Sequence, residues 1–302
     1  MSHPALTVPR PEPIAVLQLL KPITWFPPMW AFGCGLVSSG VALADFNWTL
    51  LIAGVALTGP LVCGTSQVVN DWFDRFVDAI NEPDRPIPSG RVPGNWGLYI
   101  ANAWTLVSLA VSSLLGLWGV LATIVGLVLA WAYSAPPVRL KRNGWFGNAA
   151  VGLCYEGLPW FTGALVAANS FPDTRVIILA LLYSFGAHGI MTLNDFKSVE
   201  GDIRMGLRSL PVQLGVDRAA RVACLTMAAP QIVVVGLFWL WGRPAGALAV
   251  AALLAIQFLA MKRLLTAPRA LAPWYNATGV TLYVTGMLVS AFAVRSLIGV
   301  AA

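Results

Sequence analysis

Eight of the thirteen Asp and Glu residues fall in two short stretches, and those stretches are where chemistry is legible. The first reads Asn70-Asp71-x-x-Asp74-x-x-x-Asp78, with Glu82 and Asp84 just beyond it. Offsets of three and seven place the three Asp carboxylates on one face of a helix. Carboxylates stacked in this way repel one another unless a cation sits among them. An oxygen-only ligand set suits Mg²⁺, which keeps several waters and bridges carboxylates to phosphates. The second stretch, Asn194-Asp195-x-x-Ser198-x-x-x-Asp202, repeats the first 124 residues later, with Ser198 in the middle position and Glu200 inside it. Each copy follows an apolar run and is trailed by Arg and Pro: Arg85-Pro86, then Arg208 to Pro211. The expected arrangement is a duplicated unit, two facing helix ends whose acids hold Mg²⁺ and, through it, a diphosphate. A solvated polar loop is the plainer alternative, and it gives no reason for the regular spacing.

Basic residues complete an anion site. Arg85, Arg139, Lys141, Lys197, Arg204 and Arg208 lie in the acidic stretches or in the loop after residue 134. Arg makes bidentate contacts to phosphate, whereas Lys acts as a point charge. Arg142, Arg218, Arg221 and Arg269 read instead as determinants of membrane orientation.

The elements that must position these groups are membrane helices. Of 302 residues, 58% are apolar and only 11% charged, against about 25% charged in a soluble domain. So few charges cannot cover a soluble surface. Apolar runs near the ~20 residues needed to span a bilayer recur at roughly 24–44, 48–69, 95–115, 117–134, 146–168, 174–193, 218–241, 244–262 and 277–299. With a cytoplasmic N-terminus, all the basic residues except Arg175, Arg243 and Arg295 fall on the cytoplasmic side. That asymmetry supports an odd number of spans, so the net charge of +6 reports topology. No nucleic-acid-binding module is visible. Residues 1–23 form an N-terminal cytoplasmic segment with a short interfacial helix over 14–20, and 24–302 form one domain. Cys34, Cys63, Cys154 and Cys224 show no ligand spacing and read as packing residues.

The motifs resemble those of a known family. Asn70 to Asp78, continued by Asn81-Glu82-Pro83-Asp84-Arg85-Pro86-Ile87-Pro88-Ser89-Gly90, resembles the first signature of the UbiA-type intramembrane prenyltransferases, and Tyr133-Ser134-Ala135-Pro136-Pro137 fits the same superfamily. Leu193 to Asp202 with Arg208-Ser209-Leu210-Pro211-Val212, Tyr155-Glu156-Gly157-Leu158-Pro159-Trp160 and Trp274-Tyr275-Asn276-Ala277-Thr278-Gly279 resemble the chlorophyll and bacteriochlorophyll synthase branch. Gly186-Ala187-His188-Gly189-Ile190 favours its bacteriochlorophyll side.

The resemblance implies an all-α bundle of nine transmembrane helices with two pseudo-repeated Asp-rich cytoplasmic loops, in a bacterial inner (photosynthetic) membrane. It implies transfer of a geranylgeranyl or phytyl group from its diphosphate to the propionate of bacteriochlorophyllide, with Mg²⁺ as cofactor. It carries metal binding to Asn70, Asp71, Asp74, Asp78, Asp195 and Asp202. Diphosphate binding goes to Arg85, Tyr133, Arg139, Lys141, Asn194, Lys197 and Arg208. Ser198 departs from a third Asp, and Glu200 could replace it only if the helix unwinds locally. An ionisable residue inside a span is a site candidate by default, which singles out Glu156. His188 is either a ligand of the chlorin magnesium or a packing residue, and Trp160 completes the expected pigment wall. Chlorophyllide, a quinone precursor and haem are alternative acceptors. A transporter or pigment-binding protein would explain the spans but not the paired acidic motifs.

Overall fold

Backbone in lipid must satisfy its hydrogen bonds internally, and every regular element among the described residues, 10–298 of this computed structural model, is helical. The start of the N-terminal segment and residue 299 of the last expected span lie outside them. In chain order the helices are α1 (Pro13–Leu19), α2 (Phe26–Ser38), α3 (Trp48–Asn81), α4 (Trp96–Ser112), α5 (Gly116–Ser134), α6 (144–168) and α7 (Thr174–Asn194). After these come α8 (Val199–Arg204), α9 (Leu210–Leu214), α10 (Val216–Leu240), α11 (Pro244–Leu264) and α12 (Pro268–Ile298).

Six stretches are long and apolar enough to cross a bilayer: Trp48–Asn81, Trp96–Ser134, Thr174–Lys197, Val216–Leu240, Pro244–Leu264 and Pro268–Ile298. The Trp96–Ser134 stretch folds back on itself. Gly116 takes φ 71°, a conformation that favours glycine, and Trp131 Nε1 then donates to Thr105 Oγ1 at 3.0 Å. The expected spans near residues 24–44 and 146–168 are occupied by α2, preceded by a 3₁₀ turn (Pro22–Trp25), and by α6.

Two helices contain wide turns. A π-turn at Leu57–Cys63, around Pro60, interrupts α3, and another at Leu153–Gly157 interrupts α6. Pro60 cannot donate to the helix ladder, which accounts for the first. The second brings Gly152 and Gly157 against α7, where an added Cβ would lie 2.4 Å from Ser184 O and Ser184 Oγ respectively.

The short α1 covers residues 13–19 and is not free at an interface along its whole surface. Ala15, Leu19 and Leu20 pack into a cluster with Val68, Val69, Ile100 and Ala101, while Ile14 and Leu17 stay exposed. The largest core holds Trp160, Tyr183, Tyr275 and Tyr283, all fully buried. Trp160 Nε1 donates to Ser38 Oγ at 3.0 Å, and its ring stacks on Tyr183 at 5.6 Å.

Helices α2 and α6 touch backbone to backbone. A Cβ on Gly163 would lie 2.1 Å from Phe32 O, and one on Gly35 would lie 2.1 Å from Trp160 O. Small residues allow such close crossings in membranes. Gly163→Val should therefore destabilise the fold by at least about 1–3 kcal/mol, read as a lower melting temperature in detergent. Gly33→Ala, whose Cβ meets open space, should melt like the parent.

Candidate functional site

Both acidic stretches open onto one cavity of about 470 Å³. Asn70, Asp74 and Asp78 line it from the end of α3, joined by Asn81. The face that meets the cavity is therefore i, i+4, i+8, and not the 71/74/78 set. From the other side come Asn194, Asp195, Ser198 and Asp202. Here the helix stops: Asn194 ends α7, a 3₁₀ turn covers Asp195–Lys197, and α8 begins at Val199. The first acidic stretch is thus helix and not loop, and the second is a broken helix that still delivers the same 4-residue spacing to the same cavity.

The carboxylates are held by nearby donors. Lys141 Nζ bonds Asp74 Oδ2, and Arg139 approaches Asp74 Oδ1 at 3.3 Å. Arg85 reaches Asp78 at 2.8 Å and grips Glu82 with two nitrogens at 2.6 and 2.7 Å. Asp202 Oδ2 accepts from Ser209 Oγ at 2.6 Å and from Ser198 Oγ at 3.1 Å. Asn148 Nδ2 lies 3.4 Å from Asp195 Oδ2. Burial pulls the Lys141 ammonium below its ordinary pKa, against the opposing pull of Asp74. Burial also works against the charge of Arg85, but Glu82, Asp71 and Asp78 outweigh it and raise the guanidinium.

Backbone geometry brings these cations in. Among the described residues Lys21, which pairs with Asp71, and Arg139 are two of the three non-glycine residues with positive φ, at 48° and 40°. Each such residue costs about 1–3 kcal/mol and persists where its surroundings over-determine it. The loop before α6 is stitched to the loop before α9: Gly144 N donates to Arg208 O at 2.8 Å, and Arg208 N to Arg142 O at 2.9 Å. Gly144 is needed because a Cβ there would stand 2.6 Å from Leu210 N.

Charge and donor type bear on a metal. Five carboxylates (Asp74, Asp78, Glu82, Asp195, Asp202) but only three basic residues (Arg85, Lys141, Lys197) line the cavity. Added to these are the amide oxygens of Asn70 and Asn194. A cavity of that charge repels an anion unless cations accompany it, and its donors are the hard oxygens that Mg²⁺ takes. Among the described residues no three His, Cys, Asp or Glu side chains cluster as a ready-made cage. Mg²⁺ binding through one or two carboxylates plus phosphate oxygens and water needs no such cage, so the residues fit that ion.

A second cavity, about 310 Å³ and mainly apolar, adjoins the first through Asn194. Its walls include Phe26, Trp30, Tyr155, Glu156, Ile190 and Asn276. Phe26, in its wall, is 60% exposed. Narrower apolar clefts run between α3, α5 and α6 from Tyr133, past Gly126 and Cys154, to Pro159. Tyr155, in the π-turn of α6, lines the upper cleft and the larger pocket and separates them.

Several expected site residues sit elsewhere. Asp71 does not line the acidic cavity. It is buried to 1% exposure, with Oδ1 2.7 Å from Lys21 Nζ and 3.4 Å from Arg85. Arg139 reaches the cavity only through Asp74, and Arg208 is exposed and contributes its backbone. Glu200 does not replace Ser198: although the helix breaks there, Glu200 points outward to Arg269 at 2.8 Å. Trp160 is in the core and His188 packs on the Trp145 ring at 5.5 Å, so neither lines the pocket beside Glu156. Tyr133, Lys141, Lys197 and Arg85 do line the acidic cavity. Sequence reasoning misses Asn148 and Ser209. An amide amid the apolar run of α6 is the signal that could have found Asn148.

The chain is similar to several known proteins. A model of the UbiA prenyltransferase family matches residues 25–284. The chain is 58% identical over 287 residues to the bacteriochlorophyll synthase 33 kDa chain of Cereibacter sphaeroides, covering 95% of each protein. It is 39% identical over 290 residues to a chloroplastic chlorophyll synthase of Oryza sativa, covering 92% of this chain and 76% of that protein. A solved UbiA homologue from Archaeoglobus fulgidus, bound to GPP and Mg²⁺, superposes with a TM-score of 0.69 at 19% identity, covering 93% of this chain and 99% of that one.

The different placements of Asp71 and Asp74 separate their roles. Mg²⁺ with inorganic diphosphate should raise the melting temperature of the parent and of Asp71→Asn, but not of Asp74→Asn. Asp71→Asn should itself lower stability by about 1–3 kcal/mol, the scale of a buried charged partner left unpaired. A ligand-dependent rise lost equally in both variants would contradict the assignment.

Proposed function

The chain belongs to the UbiA prenyltransferase family, and from that premise we propose that it transfers a geranylgeranyl or phytyl group from its diphosphate to the propionate carboxylate of bacteriochlorophyllide. The observation that carries this reading is the meeting of a carboxylate-rich cavity with a large apolar pocket at Asn194. The relatives named bacteriochlorophyll synthase and chlorophyll synthase support a tetrapyrrole acceptor.

Asn70, Asp74, Asp78, Asp195 and Asp202 would hold Mg²⁺, which supplies the positive charge that admits the diphosphate and stabilises it as a leaving group. Arg85, Lys141 and Lys197 share the cavity and take up charge on the departing oxygens. The bond from the allylic carbon to the diphosphate breaks with its electron pair going to oxygen, and a propionate oxygen supplies the pair for the new ester bond. A carboxylate is already deprotonated at neutral pH, so no general base is required. The clefts below Tyr133 suit the prenyl tail and keep water from the developing cation.

For topology, we propose that α2, α3, α4, α5, α6, α7, α10, α11 and α12 each cross the membrane, giving nine spans with the acidic cavity cytoplasmic, in a bacterial inner membrane. The support is the distribution of basic residues together with the hairpin at Gly116. A single cysteine in place of exposed Ser89 should react with an impermeant maleimide from the cytoplasmic side alone, and one in place of exposed Ser170 from the opposite side alone. Labelling of both from one side would refute the arrangement.

Activity gives the direct test. Purified protein with geranylgeranyl diphosphate, bacteriochlorophyllide and Mg²⁺ should yield the esterified pigment by chromatography. EDTA should abolish the product and added Mg²⁺ restore it. Consumption of the prenyl diphosphate with 4-hydroxybenzoate but not with the pigment would overturn the acceptor assignment.

A further inference from the structure

Two asparagines form the seam between the acidic cavity and the apolar pocket. Asn194 lines both cavities, whereas Asn276, on α12, lines the apolar pocket. Asn276 Nδ2 donates to Asn194 Oδ1 at 2.8 Å. Among the described residues Asn276 Oδ1 is buried without a partner, and Asn194 Nδ2 meets Met191 Sδ at 3.9 Å, a weak acceptor. Buried polar groups are normally satisfied, and exceptions call for a cause. Reversing both amides together keeps the shared bond, now from Asn194 Nδ2 to Asn276 Oδ1, and puts an Asn276 N–H in the unpartnered position, free to donate.

The site's chemistry says what those donors can receive. This inference rests on the reaction proposed above. The prenyl carbon that reacts is bonded to the diphosphate, so it sits at the edge of the acidic cavity. The attacking oxygen must come within about 3–3.5 Å of that carbon, and from the apolar pocket it can do so only near Asn194. Among the described residues no Lys or Arg lines the apolar pocket, so no cation there meets an acceptor carboxylate. Neutral amide N–H groups suit the task, since they bind a carboxylate through charge-assisted bonds without fixing its charge in an ion pair.

We propose that Asn276, together with Asn194, receives the acceptor's carboxylate and presents one of its oxygens to the prenyl carbon. Asn276 then determines specificity for an acid acceptor, while the acidic cavity handles the diphosphate.

The test uses purified full-length enzyme and the variants Asn276→Leu and Asn276→Asp. Asn276→Leu should raise the KM for bacteriochlorophyllide at least about tenfold, the scale of one lost hydrogen bond to a charged group, with the KM for geranylgeranyl diphosphate nearly unchanged. Asn276→Asp, almost identical in shape, should raise the acceptor KM further by placing a like charge against the carboxylate. If the leucine variant fails to fold, as melting curves will show, the aspartate variant carries the test alone. A second measurement is inhibition by the propionate methyl ester of the pigment. The parent should bind the acid more tightly than the ester, and the variants should lose that preference. Unchanged acceptor KM and retained acid preference would refute the proposal. Equal increases in both KM values would also refute it, marking the amide pair as a scaffold for the diphosphate side. Failure of the parent enzyme to esterify the pigment at all would instead refute the reaction on which the inference rests.

Discussion

Everything at the cytoplasmic end of this bundle is arranged around the cost of gathering carboxylates in a half-buried space. Asp71 and Asp78 are nearly inaccessible, and Asp74 and Asp202 stand close by. Removing one partner of a buried ion pair costs about 3–5 kcal/mol, less where water reaches the pair, as it does at Arg85 with 26% of its side chain exposed. The cations that meet these acids come from three separated places: Lys21 before α2, Arg85 after α3, and Arg139 with Lys141 before α6. Two of the four sit in left-handed backbone, so local strain is accepted to meet the acids. The close approach at Gly144 and the bridge between Asn143 and Arg208 have the same origin, because these loops must lie over one cavity.

The apolar half depends on a different device, the π-turns. In an α-helix, positions four apart share a face, so Glu156 and Trp160 should look the same way. The wide turn at Leu153–Gly157 adds a residue and rotates the rest of α6 about its axis. Glu156 therefore meets the pocket, while Trp160 turns into the core against Ser38 and Tyr183. The π-turn in α3 holds Cys63, whose Sγ is 3.5 Å from the Tyr155 hydroxyl. The two irregular turns thus meet beside Tyr155, which divides the narrow apolar clefts from the larger apolar pocket.

That contrast explains how much is legible in the sequence. Membrane character, the helical class and the two acidic stretches derive from composition and spacing, which are local. The register of the first stretch is not legible, because 71/74/78 and 70/74/78 are both helical stripes and only the neighbours decide which one faces inward. Asp71 is the result: it sits one residue from the true stripe, turned by about 100° toward Lys21. His188 lies outside the pocket for the same reason, one position from Ala187, which does line it, and takes the packing alternative against Trp145. The break after Asn194 cannot be read from the repeat either, since a 3₁₀ turn preserves the spacing of four while changing the path of the chain.

The excess of acid over base in the cavity has a consequence for the order of events. With five carboxylates against three basic side chains in the lining, a bare diphosphate would meet acids as well as cations there. Lys141 and Arg85 are already engaged with Asp74 and Asp78, so they cannot serve a phosphate fully without leaving those acids exposed to one another. Asp74 and Asp78, if they held Mg²⁺, would have a second partner for their charge, and Lys141 and Arg85 would then be able to turn toward phosphate oxygens. The side chains that neutralise the acids here, Lys141 and Arg85, are the same ones proposed to take up charge on the leaving group.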